Sequence, residues 1–319
     1  MADSSSGRVA EPKATQGERK RPSWLVGFLK RLVKEKPLGT VCGIITLFLL
    51  LVAIFADFVA PYGMNETWVG GFLEPPSAKF WFGTDNIGRD LLSRIIFGAQ
   101  VSVIVGVTAS TIATIISLII GIVSGYIGGK LDLIVQRGVD VWMCMPRLVI
   151  LILLVGVMGV SLWSIIIALG VSWGIPGSRI IRGAVISISE NVYVQAAEAI
   201  GCSTTRILTR HILPNVMATV IVLFSTRVPG IILAEAGLSF LGFGIPPPSP
   251  SWGGMLSGSG RTYMMMMPWM AVWPGLALAI TVYSINMFGD AVRDITDPRL
   301  RGGVGRYGVI AKREARRKK

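Results

Sequence analysis

The side chains best placed to do chemistry are the few charges that interrupt long apolar runs. Arg227 and Glu235 stand eight residues apart within one run, which puts them on one side of a helix and about 12 Å apart along it, too far to pair directly. Arg147 follows Pro146 and has Asp140 seven residues upstream, a pairing partner unless the guanidinium snorkels to the interface instead. Charges at membrane depth are costly, and they mark either structural pairs or the walls of a wet path. Arg227, Glu235, Arg147 and Asp140 are therefore the candidates for lining a translocation path. Metal chemistry has little to work with: Cys42, Cys144 and Cys202 are far apart without a CxxC spacing, and His211 is the single histidine. The Met264–Met267 run reads as an adaptable apolar surface rather than a copper site. There is no GxxxxGK(S/T) run, so the chain supplies no phosphate-binding loop, and no HExxH or Ser/His/Asp constellation points to an enzyme.

The elements that must position these charges follow from composition. Of 319 residues, 52% are hydrophobic and 15% charged, with a mean hydropathy of +0.63, whereas a soluble domain carries about a quarter charged residues. Twenty uncharged residues separate Lys36 from Asp57, and a helix over Leu38–Ala60 reaches roughly 34 Å, enough for a hydrocarbon core of about 30 Å. Further spans are expected at Val101–Ile127, Gly138–Met158 with Pro146 inside it, Leu162–Ile180 after a tight turn at Gly156–Ser161, Val216–Leu241 and Trp269–Phe288. The fold class is thus an all-α membrane protein with six transmembrane helices.

The net charge of +13 supports that count. With six spans, 25 of the 31 Lys and Arg residues fall on the side of the two chain ends and four on the other, so the positive-inside rule makes both termini cytoplasmic. The basic excess is then a topology signal and not a nucleic-acid footprint. The tail 1–23 is polar and basic and is expected to be disordered; 302–319 is expected to be a basic cytoplasmic tail. Trp24, Leu25, Phe28, Leu29, Leu32 and Val33 recur at helical spacing opposite Lys30, Arg31, Lys34 and Lys36, which describes an amphipathic helix on the cytoplasmic leaflet or packed on the other spans. The expected division is 24–97 for this helix, the first span and an outer segment, and 98–301 for a five-helix core.

Between the fourth and fifth spans lies Val192–Asn215, VYVQAAEAIGCSTTRILTRHILPN. It reads as a short Ala-rich helix ending at Gly201, a natural C-terminal glycine, and a second helix capped by Ser203 that stops before Pro214. Ala196, Ala197 and Ala199 give the first helix little packing surface of its own, so a partner groove would suit it.

This stretch resembles the EAA loop of ABC-importer permeases, whose pattern is Glu-Ala-Ala, three residues, Gly, nine residues, then Ile-x-Leu-Pro. Ala196, Ala197, Gly201, Leu213 and Pro214 are in register, while Gln195 replaces the usual glutamate and His211 the usual isoleucine; Glu198 lies one turn from Gln195. Phe82–Val101, Leu233–Trp252 and Phe288–Arg301 are similar to three further signatures of the C-type permease subunit of peptide and nickel importers. The resemblance implies a type I importer (MetI-like) permease fold, with a coupling site at Tyr193, Gln195, Ala196, Ala197, Glu198, Gly201, Arg206, Leu213 and Pro214. It also implies a related second permease subunit, two ABC ATPase subunits that carry ATP and Mg, an extracytoplasmic solute-binding protein, and a dipeptide or oligopeptide substrate. Nickel chelates, glutathione and oligosaccharides are substrates of relatives. An ATP-independent channel or receptor subunit is the alternative from another class.

In the outer segment, Asp85 is the candidate N-cap of a turn with Gly83, Gly88, Arg89 and Asp90, and Pro246, Pro247, Pro248 and Pro250 stiffen a loop suited to a donor protein. Trp252 is expected at the membrane interface.

Overall fold

The computed structural model describes residues 24–296; the two expected tails, 1–23 and 302–319, lie outside the described residues. Thirteen α-helices run through the described residues: α1 (Trp24–Glu35), α2 (Pro37–Ile54), α3 (Ala56–Val59), α4 (Leu91–Ile127), α5 (Gly129–Cys144), α6 (Arg147–Met158), α7 (Leu162–Ser189), α8 (Val192–Ala199), α9 (Thr204–Ile207), α10 (Leu213–Phe240), α11 (Trp252–Met255), α12 (Arg261–Tyr263) and α13 (Trp269–Thr296). Five helical stretches are long and apolar enough to cross a membrane, and α5 with α6 makes a sixth if the bent pair is one span.

The centre of the fold is α4 against α7. Small residues let the two backbones approach: a methyl group added at Gly170 would sit 2.6 Å from Ile112 Cγ2. Ser102, Ser110, Ser117, Ser124, Ser172 and Ser178 are buried on these two helices, the small-residue packing expected where lipid gives helices no hydrophobic drive to associate. Val105, Ala109, Ile165, Ile166, Leu169 and Ile231 form the fully buried centre, with α10 as third wall.

Two further clusters define the ends. At the α8 end, Ile181, Val185, Val194, Ile207, Ile212 and Val216 pack together. At the α11 end, Leu91, Ile95, Ala99, Trp252 and Met255 pack beneath Trp269 and Trp273.

Four sequence expectations need correction. The third span is not one straight helix: α5 and α6 meet at 94°. Met145 is pushed to φ −87° and ψ 138° by the ring of Pro146, which disfavours helix before it and starts α6 afresh. The second span begins ten residues early, at Leu91, because Asp90 accepts from Ser93 N at 2.8 Å and caps it. Asp85 caps the preceding turn, as expected: its Oδ1 accepts from Ile87 N and Arg89 N, both at 3.0 Å. The helix after Ser203 does not stop before Pro214. A π turn at Leu208–Ile212 carries it into α10, with Pro214 in the first turn, where a missing N–H costs little. Trp252 is buried, not interfacial, and donates from Nε1 to Ile95 O at 3.1 Å.

Where two placements of the amphipathic segment were open, α1 packs one edge on α13. Leu32 and Phe28 join Phe288, Ala291 and Ile295, Lys36 Nζ meets Asp294 Oδ2 at 2.5 Å, and Leu29 and Val33 remain exposed.

Candidate functional site

The Val192–Asn215 stretch forms a projecting helix tied down at few points. Two side chains anchor α8: Val194 is fully buried and Ala197 is 6% exposed, both in the cluster with Ile181, Val185 and Ile212. Positions 194 and 197 are three apart and share a face. Tyr193 flanks this face and is exposed, Gln195 is exposed on the far side, and apolar Val192 and Ile200 stand 80% exposed at the two ends. Gly201 adopts φ +80°, its N–H bonds to Glu198 O at 2.9 Å, and Cys202 N–H reaches back to Ala197 O at 3.0 Å, which closes the helix in the left-handed turn that favours glycine.

The residues expected here stay together, though few touch. Gln195 Nε2 reaches Glu190 O at 3.3 Å. Glu198 accepts from Tyr126 Oη at 3.1 Å, a tie from α8 to the end of α4. The Tyr193 and His211 rings lie 6.2 Å apart, tilted by 45°. Arg206 and Pro214 are exposed and Leu213 is half-buried. Ser203 occupies the N-cap position of α9 without a side-chain cap bond.

The internal charges are distributed differently. Arg227 is buried, with its Nη2 donating to Ser117 Oγ at 3.0 Å, and Ser117 donates on to Gly174 O at 2.6 Å. The guanidinium occupies the space where a Cβ at Gly177 would stand, so this arginine ties α10 to α4 and α7 through a gap that only glycine leaves. Glu235 is fully buried; its Oε1 accepts from Ser239 at 2.7 Å, and Ser239 accepts from Ser251 at 3.2 Å. That chain links α10 to the loop before α11. As expected from their spacing, Arg227 and Glu235 do not pair.

Arg147 and Asp140 do not pair either, which corrects one of the two readings of Arg147. The Arg147 guanidinium lies 4.1 Å from the centre of the Trp173 ring, a cation–π contact across α6 and α7. Asp140 instead meets Arg179 and, at 3.6 Å, Arg137. The break at Pro146 accounts for this, since it turns the helix carrying Asp140 away from the one carrying Arg147.

Sequence reasoning missed Tyr126, Ser117, Gly177, Ser239 and the bidentate pair of Arg182 with Asp132, at 2.6 and 2.5 Å. Their partners lie 50 to 110 residues away for Arg182, Tyr126 and Ser117, so no local spacing announces them. The signal available was a hydroxyl or glycine inside an otherwise apolar span. Among the described residues, no group of three or more His, Cys, Asp or Glu could hold a metal ion.

Residues 117–302 match the family model of the binding-protein-dependent transport system inner membrane component. The chain belongs to this family. Residues 23–76 match the N-terminal TM domain of oligopeptide transport permease C. The oligopeptide transport system permease protein OppC of Bacillus subtilis is 38% identical over 84% of this chain and 88% of its own length. The glutathione transport system permease protein GsiD of Shigella flexneri is 39% identical over 85% and 90%, and the dipeptide transport system permease protein DppC of Bacillus subtilis 39% identical over 85% of each. A solved structure of the MetNI methionine ABC transporter in an inward-facing conformation has a chain similar in fold, with a TM-score of 0.52 at 18% identity over 64% of this chain and 97% of that one. The family resemblance read from the four sequence blocks and the MetI-like fold are thus borne out, and the protein is a multi-pass inner-membrane permease component.

Proposed function

We propose that this chain is one permease half of an ATP-driven importer of dipeptides or oligopeptides, and that α8 is the helix through which ATP hydrolysis on separate subunits moves the spans. The observation that carries the reading is the construction of α8: Val194 and Ala197 root it between α7 and α10, while Val192, Tyr193, Gln195 and Ile200 are left exposed. An apolar tip on a short, rooted helix is a lever that needs a socket. On this reading the socket is a groove in an ATPase subunit, which also holds ATP and Mg. Tyr193, Gln195, Ala196, Glu198, Gly201 and Arg206 form the contact, Ala197 the root, and Leu213 and Pro214 the joint to α10.

The full assembly is this chain, a related second permease, two ATPases and an external solute-binding protein, with both chain ends cytoplasmic. ATPase closure rocks the two permeases between inward- and outward-open states. Arg227 and Glu235, held within this subunit, act by fixing the helices that line the path, and 98–301 is the moving core to which 24–97 is attached. The relatives named for oligopeptide, dipeptide and glutathione transport support a short peptide as cargo.

The test is ATPase stimulation in the reconstituted assembly, measured with its binding protein against a panel of dipeptides, longer peptides, glutathione, a nickel chelate and an oligosaccharide. Stimulation by peptides is expected. Stimulation by none of the panel, or uptake that runs without ATP, overturns the reading.

A further inference from the structure

A cavity of about 420 Å3 opens at the α11 end, between the first turn of α4, the loop that leads to α11 and the start of the π turn after it. Its wall carries two guanidinium groups, Arg89 and Arg94, and a single carboxylate, Asp85. That carboxylate is already committed. Its Oδ1 takes the amides of residues 87 and 89, and its Oδ2 takes Arg89 Nε at 2.6 Å. Arg94 is left with long contacts only: 3.7 Å from Nε to Asp85 Oδ2, and 3.4 Å from Nη1 to Met64 O. Of five N–H donors, none is within the 2.7–3.2 Å of a good bond.

Arg94 nevertheless sits in the first turn of a membrane span with its side chain 9% exposed, where a poorly compensated charge is costly and marks function. The neighbouring Asp90 does not supply the compensation, since it is bonded to Ser93 N and Oγ and does not line the cavity. Glu235 is turned to Ser239 beneath the floor. The cavity wall therefore holds one cation more than it holds anions. Ile245, Met255 and Met270 complete it with an apolar side.

We infer that this cavity receives a carboxylate of the imported solute, with Arg94 as the residue that binds it and the apolar side holding the adjoining side chain. The planar guanidinium fork matches a carboxylate bidentately. The volume accommodates the end of a peptide rather than its whole length. The inference rests on the import reading above, because the cavity lies at the end opposite α8, where solute would arrive. It adds a selection step within the permease, downstream of any choice made by the binding protein.

The experiment is uptake by the complete reconstituted transporter of two labelled peptides that differ only at the C-terminus, one a free acid and one amidated. The quantity read is the ratio of acid to amide uptake in a variant divided by the same ratio in the unaltered protein, so that the binding protein's own preference cancels. Arg94→Gln should lower this ratio about tenfold, equivalent to about 1.4 kcal/mol, and Arg94→Lys should lower it less. Ser257→Asp, which adds a competing carboxylate to the cavity wall, should move it in the same direction. A ratio that stays at one in Arg94→Gln and Ser257→Asp, including an equal loss of both peptides, overturns the inference while leaving the import reading standing. Uptake of neither peptide by the unaltered protein overturns both.

Discussion

At the α11 end the polypeptide packs upon itself, whereas at the α8 end it stands out from the core. Phe80, Asp85, Trp252 and Ser251 belong to loops or to a four-residue helix, and each is at most 2% exposed. On α8, an eight-residue helix, six of the eight residues are exposed. The difference has a physical reading. A loop that buries its aromatic rings and satisfies its polar groups holds a fixed shape and can frame a cavity. A short helix held by Val194 and Ala197 derives little stability from its own contacts, since helices of this length are marginal in isolation. Such a helix is poised for a second surface.

The comparison predicts that substitutions in the self-packed regions act on folding, and that those on α8 act on transport. The largest effect is expected where packing is tightest. Gly177→Leu drives a side chain into the Arg227 guanidinium and should remove most of the folded protein, seen as loss of the monodisperse peak after detergent extraction; overpacking costs 1–3 kcal/mol or more, and displacing a buried charge adds to it. Trp252→Ala follows, with an expected loss of about 3–5 kcal/mol, read as a lowered thermal midpoint of the purified assembly. Ile200→Ser is the counterpart at the other end. Its midpoint should stay within about 0.5 kcal/mol of the original, while ATP-dependent uptake falls several-fold. If Trp252→Ala and Ile200→Ser lower the midpoint alike, the contrast between the ends is wrong.

The smallest effect belongs to Tyr126→Phe, which deletes only the bond to Glu198. A single exposed hydrogen bond is worth about 0.5–1.5 kcal/mol at most, so uptake should fall about twofold without a change in extraction yield. A null effect on uptake would remove this tie from the path between α8 and α4.

Much of this architecture was legible in the sequence because hydropathy reports membrane depth directly. Pro37–Ile54 lies within a charge-free run, Leu162–Ser189 and Trp269–Thr296 each begin in one and extend past it to charged residues at their C-terminal ends, and Gly201 closes α8 where the glycine stands. What escaped was set by contacts distant in sequence. Asp90 and Arg94 disguised the start of α4 as a polar loop, because a charge buried against Asp85 and Met64 reads the same as one in water. Pro214 read as a stop because the π turn that absorbs it has no composition signature. Arg227 was visible as an unusual charge, yet its role as a tie depends on Gly177, 50 residues away in another span. The α8 stretch was the easiest part of the candidate site to find, since its residues are contiguous; the cavity at the other end gathers residues from 85 to 270 and could not be assembled from spacing.

The central claim is that α8 transmits ATP hydrolysis to the spans, and Gly201 tests it most directly. A Cβ at this position meets nothing within 4 Å in the chain itself, so a large side chain there projects away from the fold. Its φ of +80° tolerates Asn better than other residues. In the reconstituted assembly, Gly201→Asn should retain most ATP-driven uptake, while Gly201→Trp should insert into the membrane normally yet abolish uptake and dislodge or uncouple the ATPase. Unchanged uptake with tryptophan at this position would contradict the account.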